Sequence, residues 1–100
     1  MKRTLNFTWD ERKNDINKMK HGISFRRALL AFSDPMRYER FDLEHSETED
    51  RWKLIGLAGL NLLVVIFTET DDEIRIISAR KADDNETKEY FNGYGKVYTY

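Results

Sequence analysis

Three apolar, β-rich runs dominate the middle of the chain. They span Arg51 to Gly59, Leu62 to Glu69 and Glu73 to Lys81. The breaks between them, Gly59-Leu60-Asn61 and Thr70-Asp71-Asp72, are short enough only for hairpins. The pattern predicts an antiparallel meander. Successive strand residues face opposite sides. In the second run Leu62, Val64 and Ile66 therefore share one face and Leu63, Val65 and Phe67 the other. Both faces are apolar, which places this strand at the centre of a sheet covered on both sides. Alternation in the third run puts Ile74, Ile76, Ser78 and Arg80 on one side, and Arg75, Ile77, Ala79 and Lys81 on the other. That run begins apolar and ends basic, so one end of the sheet becomes a candidate site.

The flanking segments are shorter. Leu5 to Trp9 alternates and predicts a first strand. Asp10 stands at an N-cap position for a helix from Glu11 to Lys20, with a thin apolar stripe of Ile16, Met19 and Ile23 and a His21-Gly22 stop. Ser24 caps a second helix, in which Phe25, Ala28, Leu29 and Phe32 recur at i, i+3, i+4 and i+7 before Ser33-Asp34-Pro35 ends it. Met36 to Leu43 is weakly alternating and charged on both sides, as an edge strand would be. A polar connector, His45 to Asp50, leads into the meander. Asp83 and Glu86 have capping-box spacing at the start of a last helix, and Gly93 stands near its expected end. The aromatic tail from Tyr94 to Tyr100 could add a strand, dock a partner or be disordered. The element order β-α-α-β-β-β-β-α predicts an α+β fold with a mainly antiparallel sheet.

Composition narrows the function classes. One hundred residues suffice for a single domain, 1–100, with 95–100 as a flexible tail. The longest apolar run, Leu62 to Phe67, is far too short to span a bilayer, and Met1-Lys2-Arg3 is followed by polar residues where a signal peptide needs apolar ones. There is no cysteine, which removes disulfides and thiolate metal sites and makes a reducing cytoplasm the default location. A net charge of −1 argues against a general nucleic-acid coat, leaving room only for a local basic patch.

Several stretches, taken in order, carry a family resemblance: Trp9-Asp10-x-x-Lys13, Asn17-x-x-Lys20-His21-Gly22-Ile23-Ser24-Phe25, Phe32-x-Asp34-Pro35, His45-Ser46 to Arg51, Ile55-Gly56, and Ile74 to Ala82. The chain resembles the BrnT family of bacterial toxins over roughly Phe7 to Tyr90. The resemblance implies a RelE-like microbial ribonuclease fold and a metal-independent endoribonuclease that cuts RNA and inhibits translation, with no cofactor. It also implies a BrnA-like ribbon-helix-helix antitoxin, through which alone the complex would touch operator DNA. A homodimer or a two-to-two complex with that antitoxin is left open. Two departures stand out. Relatives often carry acids where Arg26 and Arg27 stand, and a common Glu is here Asp50. If the family uses an acid from the second helix, Glu11, Glu47 or Glu49 would have to substitute. The changed Arg26 and Arg27 keep an alternative alive, a catalytically inactive relative that binds an antitoxin and modulates repression.

Metal-free RNA cleavage needs a proton removed from the 2′-hydroxyl, charge neutralised on the phosphorane and a proton returned to the 5′-oxygen. Arg80, at the polar end of its strand, is either the rim of the sheet or a phosphate clamp, and the resemblance favours the clamp. Arg51 opens the meander on the face of Lys53 and is a second candidate. A regular sheet would hold Arg51 and Arg80 at opposite ends, so a twist, bulge or length mismatch is needed to bring them together. Lys13 borders the buried stripe, and its catalytic candidacy rests on the resemblance, as does that of Glu47. Lys20, His21, His45, Lys53 and Lys81 are candidates for RNA contact, and the histidines also suit proton transfer. Asp71-Asp72-Glu73 reads as a turn, and no metal site is expected.

Overall fold

The structure is a computed structural model and describes residues 6–97. Its elements are β1 (Asn6–Thr8), α1 (Glu11–His21), α2 (Phe25–Ala28), which runs on as a 3-10 turn at Leu29–Ser33, and β2 (Tyr38–Phe41). A 3-10 turn at Leu43–His45 precedes the meander of β3 (Trp52–Ala58), β4 (Asn61–Glu69) and β5 (Glu73–Lys81), and α3 (Asp84–Val97) closes the described chain. The sheet order is β1-β5-β4-β3-β2, with β1 parallel to β5 and every other pair antiparallel. β4 is thus central, as its two apolar faces require. The α+β class and the mainly antiparallel sheet agree with the sequence pattern. Among the described residues no helix is long and apolar enough to cross a membrane.

The two sheet faces carry different loads. On one, Leu54, Val65, Phe67 and Ile76 pack with Phe25, Ala28 and Ala31 beneath α1 and α2. On the other, Ile55 and Val64 meet Tyr90 of α3. Because α3 lies chiefly over β2 and β3, the β5 end of that second face stays open.

Simple alternation fails in β5. Ile66 pairs with Ser78 but Phe67 pairs with Ile76, so Ile77 is an extra residue, a β-bulge. The bulge reverses parity. Ile74, Ile76 and Ala79 all join the core under α1 and α2, while Ser78 and Arg80, opposite Ile66 and Val64, turn to the open face. Arg80 therefore does not share a face with Ile74 and Ile76, contrary to the expectation from sequence.

The apolar stripe read along α1 is also corrected. Ile16 is 49% and Met19 87% exposed, and Ile23 is buried only beyond the helix. The buried residue of α1 is Asn17. Its amide donates to the carbonyls of Ile23 (2.8 Å) and Ala79 (2.7 Å) and accepts from the Ala79 N–H at 3.2 Å. β1 pairs with β5 only as far as Arg75. Asn17 thus satisfies backbone groups at Ala79 that β1 does not reach, as buried polar groups demand. The caps are as read: Asp10 accepts from the N–H groups of Arg12 and Lys13, Gly22 takes a left-handed φ of 70°, and Ser24 accepts from Arg27 N–H.

α2 is one α-helical turn that tightens to 3-10, not the continuous helix that the apolar spacing suggests. The turn brings the Ala31 carbonyl so close to β3 that a Cβ on Gly56 would lie 2.7 Å from it. Gly56→Ala is accordingly expected to destabilise the fold by about 1–3 kcal/mol through overpacking against backbone. Urea unfolding should show a lower midpoint at unchanged slope, and an unshifted midpoint would mean that this contact gives way freely.

α3 opens with the full capping box: Glu86 N–H donates to Asp83 at 2.8 Å and Asp83 N–H to Glu86 at 2.9 Å. The helix does not end near Gly93. It runs to Val97, and Gly93 leaves room for the ring of Tyr38, 2.5 Å from where a Cβ would stand. Of the tail discussed above, 94–97 continue α3 and 98–100 lie outside the described residues.

Candidate functional site

The open end of the second face forms a cleft of about 440 Å³. β5 contributes Ser78 and Arg80, β3 contributes Lys53, and Arg51 stands just before β3. The turn after β2 supplies Asp42, Glu44 and His45, the end of α1 supplies His21, and the start of α3 supplies Asp83 and Glu86. Arg80 is level with Ile55 across the sheet, so Arg51 stands further along β3, with Lys53 between them. The two arginines occupy different parts of one cleft.

Glu86 organises the cations. It accepts from both terminal nitrogens of Arg80 at 2.7 Å and from Lys53 Nζ at 2.9 Å. Arg80's hydrogen bonds, against the opposing effect of burial, combine with the Asp83 N–H and Lys53 to hold the Glu86 carboxyl far below the usual carboxylate range. The same bonds hold the Arg80 guanidinium above its ordinary value. Lys53 is almost fully buried, whereas the Arg80 side chain is 40% exposed. Of five guanidinium N–H donors, Glu86 takes two and the Lys81 carbonyl one, at 3.2 Å. Arg80 is a fixed fork with donors still to offer.

A second arrangement lines the same cleft. His45 Nδ1 is 2.8 Å from a carboxylate oxygen of Asp42, itself only 2% exposed. The Ser46 hydroxyl donates to the Asp42 carbonyl at 2.5 Å and accepts from Arg51 N–H at 2.9 Å. Turn, imidazole and strand entry are thus tied together. A carboxylate on Nδ1 fixes the ring and leaves Nε2 for proton exchange. Arg51 lies 3.5 Å from Glu49, and its buried Nε has no hydrogen-bond partner among the described residues.

Of the residues singled out from sequence, Arg80, Arg51, Lys53, His45 and His21 line this cleft. Lys13 and Lys20 line an adjoining groove that His21 shares. Glu47 and Lys81 lie in neither: Glu47 is exposed on the connector, and Lys81, opposite Leu63, is on the far face of the sheet. Nor do the other substitute acids reach the cleft, since Glu11 bonds Trp9 and Asn14 and Glu49 bonds Arg75 and Arg51. Arg26 stacks over Trp9 and Arg27 bonds Asn61, both away from the cleft. The carboxylates present are Asp42, Glu44, Asp83 and Glu86. None of the four was singled out from sequence as a site residue. The capping-box spacing did signal Glu86, but only as a helix cap. Among the described residues no three His, Asp or Glu side chains group as a metal site.

A comparison with curated proteins finds no match. The family described as ribonuclease toxin, BrnT, of type II toxin-antitoxin system matches residues 9–86, a span that holds every residue lining the cleft. A toxin of this type implies an antitoxin partner. With most of its length matched, the chain belongs to the BrnT family of ribonuclease toxins of type II toxin–antitoxin systems.

Proposed function

We propose that this toxin is a metal-independent endoribonuclease of RelE-like fold, working in the cytoplasm, whose cutting of RNA inhibits translation. The observation that carries this is one cleft lined both by a guanidinium locked in place and by an imidazole that a buried carboxylate orients. The 2′-oxygen of the RNA attacks phosphorus and the bond to the 5′-oxygen breaks, giving a 2′,3′-cyclic phosphate and a 5′-hydroxyl end. Arg80 and Lys53 stabilise the phosphorane charge, with Arg51 a further cation in the cleft. His45, held by Asp42, moves a proton through Nε2. Positioned acid–base help of this kind is worth about 10²–10⁴-fold.

The inactive alternative rested on Arg26 and Arg27, which lie outside the cleft, and gains nothing from the geometry. The partner in this reading is a BrnA-like ribbon-helix-helix antitoxin that covers the cleft and supplies all contact to operator DNA. Purified toxin should cut single-stranded RNA in EDTA and leave cyclic phosphate ends. His45→Gln should slow cleavage by about 10²-fold or more. Cleavage that stops with EDTA would end the metal-free mechanism, and a folded His45→Gln protein cutting at the parent rate would remove His45 from it.

A further inference from the structure

The cleft is poorly charged for a polyanion. Its three fixed cations, Arg51, Lys53 and Arg80, face four carboxylates, Asp42, Glu44, Asp83 and Glu86. Something beside it must attract the RNA backbone. A second depression, of about 180 Å³, lies between α1 and β5. His21, Ile77 and Ser78 line both, so the two form one trough. Lys13 and Lys20 line the second part, no carboxylate does, and neither lysine has an ion-pair partner among the described residues. Lys18, on another side of the helix, is by contrast paired with Asp15 at 3.6 Å.

The placement follows from Asn17. Lys13, Asn17 and Lys20 are spaced i, i+4 and i+7 and so share one helix face. The Asn17 bonds to Ala79 fix the rotation of α1 against β5. One lysine is thereby presented about a turn before that anchor and the other about a turn after it. Between them lie half-exposed Ile16 and the bulge residue Ile77, an apolar strip where a nucleobase can rest.

We propose that this groove is a docking track for single-stranded RNA: Lys13 and Lys20 bind phosphates at least two positions along the strand from the scissile one, beyond the reach of a trinucleotide seated in the cleft, and a base lies on Ile16 and Ile77. Lys13 is then a binding residue and not a catalytic one. The proposal rests on RNA occupying the cleft, and its test is kept independent of cleavage. Uncleavable 2′-O-methyl RNAs, a trinucleotide and an octanucleotide, are titrated against the full chain and against the Lys13→Gln/Lys20→Gln double variant by fluorescence anisotropy. The parent should bind the octanucleotide about tenfold or more tighter than the trinucleotide, and the variant should lose that advantage. Its slope of log affinity on log salt should fall by about 1.4, or about 0.7 for each lost phosphate contact. Trinucleotide affinity, which the cleft alone supplies, should change less than about twofold.

Equal losses for both lengths, no loss for either, or no preference of the parent for the longer RNA would overturn the track. So would a variant that binds both RNAs as the parent does but loses the antitoxin, because the groove would then be a protein-docking surface. A length-dependent loss in a protein that cuts no RNA would leave the track standing and remove the nuclease reading instead.

Discussion

Replacing Glu86 with alanine is expected to destabilise the toxin by about 3 kcal/mol, because removing one member of a buried ion cluster strands the others. Lys53 is the residue stranded. It is almost fully buried, and Glu86 is its only ion-pair partner among the described residues. The value sits at the lower end for such losses because Arg80, the third member, is partly exposed and can be hydrated. Loss of the capping box adds to the effect. The cluster also gives stability a pH dependence. Glu86 is held below its unfolded value, so its contribution is complete above the ordinary carboxylate range, near about pH 5, and drains away as pH falls below it. Asp34 acts in the same direction. Burial alone would raise it, but the Leu57 N–H, the Tyr90 hydroxyl, the Met36 N–H and the charge of Arg37 together hold it low. Urea midpoints measured at neutral and acid pH should fall steeply for the parent and less for Glu86→Gln. Parallel loss in both proteins would mean that the cluster does not stabilise the fold.

How far the molecule was legible from its sequence depends on whether the deciding interaction is local. The meander, the Asp10, Ser24 and Asp83 caps and the central place of β4 follow from neighbours within a few residues, and they agree with the structure. The bulge at Ile77 does not, since Ile76-Ile77 looks equally apolar in either register and only the pairing with Ile66 and Phe67 decides. Asn17 is not among the apolar positions read along α1. Its burial depends on an open stretch of β5 far along the chain, which no local spacing reveals. The bulge and Asn17 together shape the candidate site: one turns Arg80 to the open face and the other sets the angle of Lys13 and Lys20. Glu86 was hidden differently. Its capping role accounted fully for its spacing, so nothing marked the same carboxylate as the anchor of Arg80 and Lys53. Lys81 follows Arg80 directly, and adjacent strand residues face opposite ways.

Arg80→Ala is expected to lower RNA cleavage by about 10²–10³-fold, the usual cost of removing one fixed donor aimed at transition-state charge. Growth arrest on expression should disappear with it. The fold should survive. Glu86 keeps Lys53 and the Asp83 N–H as partners, and the Arg80 side chain stands at the cleft rim, not in the core. Arg80→Lys should recover only part of the rate, because an ammonium is a point charge and cannot hold both Glu86 oxygens while offering further donors to phosphate. The two variants also separate electrostatics from positioning. If charge alone mattered, lysine would restore most of the rate. If the two-pronged lock on Glu86 matters, lysine should leave most of the deficit in kcat, with KM close to the parent's. Circular dichroism and a urea midpoint near the parent's are the necessary controls. A folded Arg80→Ala protein that cuts RNA at the parent rate would remove Arg80 from the chemistry and leave it as the structural partner of Glu86 alone.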